Sequence, residues 1–449
     1  MSQLRPTPYS FNRAQRDQVF KVMTLQLDQA STTQLREWET TLAQEYQQFK
    51  ASGLNLDLTR GKPSAEQLDL SDAMNLILGD DLSNESNTDL RNYGGLDGIP
   101  ECKRLFAKVL GVANDEILIG GNSSLTLMYF AVLFAQNQGF GALGASWASE
   151  GKTTKFLAPV PGYDRHFSVC EHLGIELIPV ALNDDGPDMD AVEQLVKADP
   201  SIKGIWCVPR FSNPTGTVYS DQVVDRLAQL GKLAGSNFRV FWDNAYAVHS
   251  LSDDAPELAN IMDRCRAHGT EDSIYIFGST SKITYAGAGV SFAGMSKGNL
   301  KAFSQHLGMS QIGPDKINQL RHVRFLKDSE GLAAHMRAHA AVLKPRFDIV
   351  LKHLREGLAD TGMASWNEPQ GGYFVSFDTL PGLAKEVVQL AADAGVKLTP
   401  AGATFPYGKD PDNKNIRIAP SVPSLEEIDR AMAVFVNCVK LASVRQRLS

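Results

Sequence analysis

Lys282 is the residue best placed for covalent chemistry. It follows three consecutive hydroxyl residues, Ser279, Thr280 and Ser281, at the end of an apolar run and leads into the glycine-rich stretch Ala286 to Gly289. A lysine amine attacks a carbonyl only when neutral, so its ordinary pKa of about 10.4 has to be lowered by burial or by a nearby cation. Earlier in the chain, Asp243 and Tyr246 set a carboxylate and a phenol three residues apart after the apolar run Phe238 to Trp242.

Three more stretches have the same construction. Gly120-Gly121-Asn122-Ser123-Ser124 opens a helical pattern after an apolar run, so its backbone N–H groups and the hydroxyls of Ser123 and Ser124 suit a phosphate dianion. Pro161-Gly162-Tyr163 ends the next run with an aromatic able to stack on a planar ring. Ser212-Asn213-Pro214-Thr215-Gly216 brings an amide donor to the end of a further run. His166 has no paired carboxylate or second ligand at metal spacing and is given no chemistry. Pyridoxal phosphate uses this whole set: a lysine for its aldehyde, an aspartate that keeps its pyridine nitrogen protonated, and donors for its phosphate.

Such groups have to be held by regular elements. Apolar runs at Glu116 to Ile119, Phe156 to Val160, Ile175 to Ala181, Ile202 to Val208, Phe238 to Trp242, Ile274 to Phe277 and Val290 to Ala293 alternate with helical patterns. This predicts an α/β domain with a mostly parallel seven-stranded sheet, whose ligands bind outside the carboxyl ends of the strands. The glycine-rich segment 139–155 reads as a surface loop. Residues 1 to about 30 read as an extended arm and short helix. Ser31 then caps a helix carrying Leu35, Trp38, Leu42, Tyr46 and Phe49, with Gly53 as its stop. A long helix after 328, the strands around 371–377 and 416–418, and a last helix from 424 predict a smaller α+β domain. The expected division is 1–65 as arm and part of the small domain, 66–327 as the large cofactor domain, and 328–449 as the small domain.

The chain has 449 residues, 43% of them apolar, and a net charge of −7, which gives no general reason to bind nucleic acid or an anionic membrane. Its five cysteines are widely spaced without a C-x-x-C pair, and no apolar stretch is long enough to span a bilayer. A cytoplasmic protein with no metal site is expected.

The order and spacing of these motifs resemble the fold-type I pyridoxal-phosphate enzymes, specifically the class I aminotransferases. The closest likeness is to the MocR-like, or type Ic, aspartate aminotransferases, through Arg60-Gly-Lys62-Pro, Tyr93-Gly-Gly-Leu-Asp-Gly98, Gly120 to Ser124 and Pro161 to Phe167. The resemblance implies that Lys282 holds pyridoxal 5'-phosphate covalently through its aldehyde, is displaced by the substrate amine, and then shuttles a proton. It implies that Asp243 pairs with the pyridinium, Asn213 and Tyr246 bond the cofactor phenolate oxygen, and Tyr163 stacks on the ring. Ser123, Ser124, Ser279 and Ser281 are the phosphate ligands it suggests. Tyr93 matches the residue that reaches the neighbouring subunit's phosphate, which implies a homodimer with shared active sites. Arg417 matches the clamp for the substrate α-carboxylate.

One departure is evident. The family has a phosphate-binding arginine eight residues after the lysine, where this chain has Val290. Lys62 and Arg165 are the candidate substitutes. Arg60, Arg321 and Arg324 are candidates for a distal carboxylate, with Arg60 and Lys62 taken into the substrate site. The implied reaction is ping-pong transfer of the amino group of L-aspartate to 2-oxoglutarate. The alternatives are transamination of alanine, aromatic residues or 2-aminoadipate, and, less favoured, a MocR-like regulator. Against the last, the residues before Arg60 are not basic and have no helix-turn-helix pattern.

Overall fold

The computed structural model describes residues 26–449; most of the expected N-terminal arm lies outside them. Thirteen strands form three sheets among these residues. The strands are β1 (Leu56–Leu58), β2 (Ile117–Ile119), β3 (Lys155–Val160), β4 (Glu176–Asn183), β5 (Gly186–Pro187), β6 (Ile202–Cys207), β7 (Arg239–Asp243), β8 (Ile274–Ser279), β9 (Ser291–Met295), β10 (Ala364–Trp366), β11 (Val375–Thr379), β12 (Val396–Leu398) and β13 (Asn415–Ile418).

The main sheet runs β2-β9-β8-β7-β6-β3-β4-β5. All seven expected strands are present, with ends shifted by a residue or two, and the two-residue β5 adds an eighth at one edge. Strands β4, β3, β6, β7 and β8 are parallel, while β9 and β5 run against their neighbours. Alternate side chains serve opposite faces, as a two-residue period requires. Val240 and Trp242 of β7 join one buried cluster, whereas Phe241 joins the cluster on the other side with Phe156, Trp206 and Phe277.

A third core joins the two ends of the chain. The helix Thr32–Ala51 starts with a capping box between Ser31 and Gln34 and buries Leu35, Trp38, Leu42 and Tyr46. These pack with the helices Ser329–Leu358 and Leu425–Leu448. Each such buried side chain contributes roughly 1.5–3 kcal/mol. Gly53, with φ +63°, follows the helix in a conformation open to glycine at little cost. Strand β1 pairs in parallel with β12, while β10, β11 and β13 form an antiparallel sheet that carries Arg417.

Segment 139–155 lies mostly at the surface, as expected, with residues 141, 142, 145 and 148–153 exposed, but one side chain ties it to the core. Trp147 within it is only 1% exposed, packs on Phe140 and Phe156, and donates its indole N–H to the carbonyl of Asn237 at 2.9 Å. The aromatic anchors a glycine-rich segment that composition alone marks as solvent-facing. No helix among the described residues is long and apolar enough to cross a membrane.

Candidate active site

Five chain stretches converge on the carboxyl edge of the main sheet. Asp243 ends β7 and Ser279 ends β8, while the turns holding Ser123, Tyr163 and Asn213 follow β2, β3 and β6. The turn after β2 and the turn carrying Lys282 are laced together by Asn122. Its Oδ1 accepts the Gly289 N–H at 2.5 Å, its Nδ2 donates to the Ala286 carbonyl at 3.1 Å, and its own carbonyl accepts from Ser281 Oγ at 3.2 Å. A Cβ at Gly289 would lie 3.0 Å from both Asn122 Oδ1 and Thr280 Oγ1, so a larger residue there crowds this junction.

Ser123 is the N-cap of the helix Ser124–Asn137 but makes no side-chain bond to its first turn. The positive end of this 14-residue helix thus has no side-chain cap from Ser123, and Ser123, Ser124, Ser279 and Ser281 lie half-buried close by. Thr280 instead turns into the core, where its Oγ1 accepts the Val290 N–H at 2.8 Å. Val290 is itself 1% exposed and packs in the core.

Lys282 is half-buried, and burial pushes its ammonium below the usual lysine range while the charge of Asp243 opposes that shift. Its Nζ lies 5.2 Å from the centre of the buried Tyr246 ring. The Lys282 carbonyl accepts a bond from His249 Nε2 at 3.1 Å; burial and the surrounding cations hold His249 down to about 3, so this imidazole is neutral at ordinary pH. Burial also raises the Tyr246 phenol well above its ordinary value.

Asp243 is 2% exposed. Its Oδ2 meets His166 Nε2 at 2.9 Å, and its Oδ1 is buried without a partner. The expectation that His166 lacks a carboxylate is therefore corrected: the partner lies 77 residues away in sequence, on β7. The imidazole is fixed between the Trp206 ring, stacked at 4.2 Å, and the edge of Tyr163 at 4.9 Å. A buried carboxylate oxygen with no donor costs free energy unless a ligand supplies one. A protonated ring nitrogen is such a donor. With the free helix terminus and the depressed lysine, the residues present fit pyridoxal phosphate.

Arg417 is 7% exposed and its guanidinium lies 4.9 Å from the Phe374 ring centre. Its Nη1 donates to Asn213 Oδ1 at 3.2 Å and to Asp164 Oδ1 at 2.9 Å, and its Nε is buried without a partner. The sequence offered Arg417 and Asn213 but gave no role to Asp164. The one available signal was its place in the strand-end turn between Tyr163 and His166.

Other candidates stand apart. Tyr93 is 84% exposed on a loop. Arg60 and Lys62 are exposed on a turn whose Gly61 has no room for a Cβ, since the Phe374 ring would lie 2.4 Å away. That turn therefore packs against the same ring as Arg417. Arg165 is exposed, and Arg321 is half-buried with an unpartnered Nε. Arg324 is not free for a substrate carboxylate: it pairs with Asp81 Oδ2 at 2.6 Å and bonds the carbonyls of Leu78, Asp81 and Ser83. It organises the 78–83 turn.

The family model for aspartate amino-transferase matches residues 30–449. An aspartate aminotransferase of Corynebacterium glutamicum is 48% identical, over 90% of this chain and 93% of that protein. The crystal structure of an aspartate transaminase from Corynebacterium glutamicum superposes with a TM-score of 0.91 at 45% identity, covering 95% of this chain and 100% of that one. An α-aminoadipate aminotransferase from Thermus thermophilus, at 20% identity and a TM-score of 0.70, shares the fold. With nearly its whole length matched, the chain belongs to the aspartate aminotransferase family of enzymes.

Proposed function

We propose that this protein is a pyridoxal-phosphate-dependent aminotransferase that passes the amino group of L-aspartate to 2-oxoglutarate in a ping-pong cycle, forming oxaloacetate and L-glutamate. The observation that carries this reading is the opposition of Lys282, depressed by burial, to Asp243, whose buried Oδ1 has no internal donor. Pyridoxal phosphate, when bound, supplies a carbonyl for the substrate amine and an electron sink for the α-carbon. Lys282 binds it and, in its neutral form, takes the proton from the substrate α-carbon and returns it nearby. Asp243 holds the ring nitrogen proton, and His166 keeps that carboxylate oriented. Asn213 and Tyr246 serve the ring oxygen, and Tyr163 covers a ring face. The hydroxyls of Ser123, Ser124, Ser279 and Ser281, with the helix terminus, bind the phosphate. Arg417 takes the substrate α-carboxylate, with Arg60 and Lys62, whose turn packs on the same Phe374 ring, taking a distal one.

The choice of L-aspartate draws support from the 48%-identical Corynebacterium glutamicum aspartate aminotransferase. A homodimer is part of the proposal. Leu76, Tyr93, Met309 and Ile312 are 90%, 84%, 87% and 62% exposed, an unusual amount of bare apolar surface for a chain that works alone. The loops holding Tyr93 and Ile312 touch, since Gly313 packs on the Gly94 carbonyl and Lys316 Nζ donates to the carbonyls of Asn92 and Gly94. Tyr93 then serves the partner's phosphate. The proposed domain division is 1–65 with 328–449 as the small domain and 66–327 as the large one, and β1–β12 pairing supports it. A cytoplasmic location agrees with five buried, unpaired cysteines.

Steady-state assays with 2-oxoglutarate and a panel of donors test the substrate. L-Aspartate is expected to have the highest kcat/KM; a higher value for alanine, phenylalanine or 2-aminoadipate rejects the assignment while leaving the aminotransferase reading intact.

A further inference from the structure

Arg417 is covered as well as buried. Its side chain is 8% exposed, whereas that of Asp164, which pairs with it, is 35% exposed. Both hydrogens of Nη1 are engaged, one by Asn213 and one by Asp164. A substrate carboxylate arriving from solvent therefore meets an arginine that already holds a carboxylate. Asn213 is 4% exposed and sits in the tight 212–217 turn, with Ser212 N–H bonded to the Thr217 carbonyl and Gly216 N–H to that of Ser212. Asp164 is the partner with freedom to leave: it is the first residue of the helix Asp164–His172, and its side chain reaches solvent.

We propose that Asp164 is a carboxylate placeholder, occupying a binding position on Arg417 that the substrate α-carboxylate takes over. The inference rests on the reading of Arg417 as the substrate clamp. Binding is then an exchange: Asp164 Oδ1 leaves Nη1 and turns to water, the substrate oxygen accepts the same hydrogen, and Asn213 keeps its bond. The buried guanidinium is paired before and after, which avoids the cost of an isolated buried charge. Uncharged amides and esters gain too little at Arg417 to displace an aspartate, so the placeholder selects for carboxylates. The same competition weakens every carboxylate ligand. Asp164 is a positioning residue here and touches no reacting atom.

Succinate, a dicarboxylate with no amino group, is the probe, and its binding to the cofactor-loaded enzyme is followed by titration calorimetry beside steady-state kinetics. Asp164→Asn is expected to bind succinate about three- to tenfold more tightly and to lower KM for L-aspartate and 2-oxoglutarate by a similar factor, the scale of a partly exposed ion pair, with kcat held within about twofold. Asp164→Glu, which restores the charge, is expected to return both constants toward wild type. Weaker succinate binding or a raised KM in Asp164→Asn would make Asp164 a support for Arg417, and unchanged constants would make it a bystander; either overturns the inference. Arg417→Lys separates the levels. If it weakens succinate binding while Asp164→Asn fails to tighten it, only the placeholder falls. If it leaves succinate binding unchanged, the clamp reading falls and the placeholder with it.

Discussion

Asp243 and Arg417 are both buried charges bonded to the turn that carries Asp164 and His166, yet their surroundings differ in kind. Asp243 is the last residue of a central strand, and His166, its partner, is 2% exposed and held between Trp206 and Tyr163. Arg417 comes from a different sheet, and its partners come from the turns after β3 and β6, one of them open to solvent. The proposed cofactor end is a fixed frame with an unmet acceptor; the proposed substrate end is an assembly with one partly exposed carboxylate partner. A group bound through the whole cycle suits the first construction, and one that enters and leaves at each half-reaction suits the second.

If the cofactor end is the rigid one, substitutions there cost the most. Lys282→Ala is expected to reduce kcat by about 10⁴-fold or more, measured by oxaloacetate formation, since it removes both the attachment point and the proton carrier. For Asp243→Asn, which leaves the ring nitrogen without a charge partner, the expected loss in kcat is about 10²–10³-fold, with KM for 2-oxoglutarate little changed. At the substrate end the pattern reverses: Arg417→Lys should raise KM for both substrates by about 10²-fold and affect kcat less, because a point charge replaces the planar fork. A kcat-dominated loss there would contradict the division between the two ends. His166→Asn, which acts through Asp243, should cost about ten- to a hundredfold in kcat.

The smallest expected effect is on stability. Burial holds His249 to about 3 and His322 and His339 to about 4, against 6.5 in an open chain. Between these values the unfolded chain binds more protons than the native one, so stability is fully present above about 6.5 and falls as pH drops toward 4. Each histidine contributes a slope of up to about 1.4 kcal/mol per pH unit. Urea midpoints at pH 7, 6 and 5 should decline in that order, and a flat series would mean that these imidazoles reach water.

The strand-end groups were legible because sheet geometry fixes their place: a polar residue ending an apolar run has to emerge at the carboxyl edge. Asp243, Ser279 and the lysine after them required only that rule. His166 was missed because its carboxylate is on a strand that follows in sequence but lies two places away in the sheet, across β6. Asp164 was missed because its partner is 253 residues distant and on a different sheet. The surface position of segment 139–155 was legible from its glycine content, whereas its anchoring through the buried Trp147 was not. Arg324 shows the converse: a cation at a plausible place in sequence is spent on backbone carbonyls of a neighbouring turn.

The central claim is that Lys282 and Asp243 hold one cofactor that cycles between two amino-group states. Visible absorption of the purified protein tests it most directly. The account predicts a cofactor band that L-aspartate bleaches and 2-oxoglutarate restores, and no such band in Lys282→Ala. A wild-type protein that stays colourless after pyridoxal phosphate is added, or a band that persists unchanged in Lys282→Ala, would contradict it.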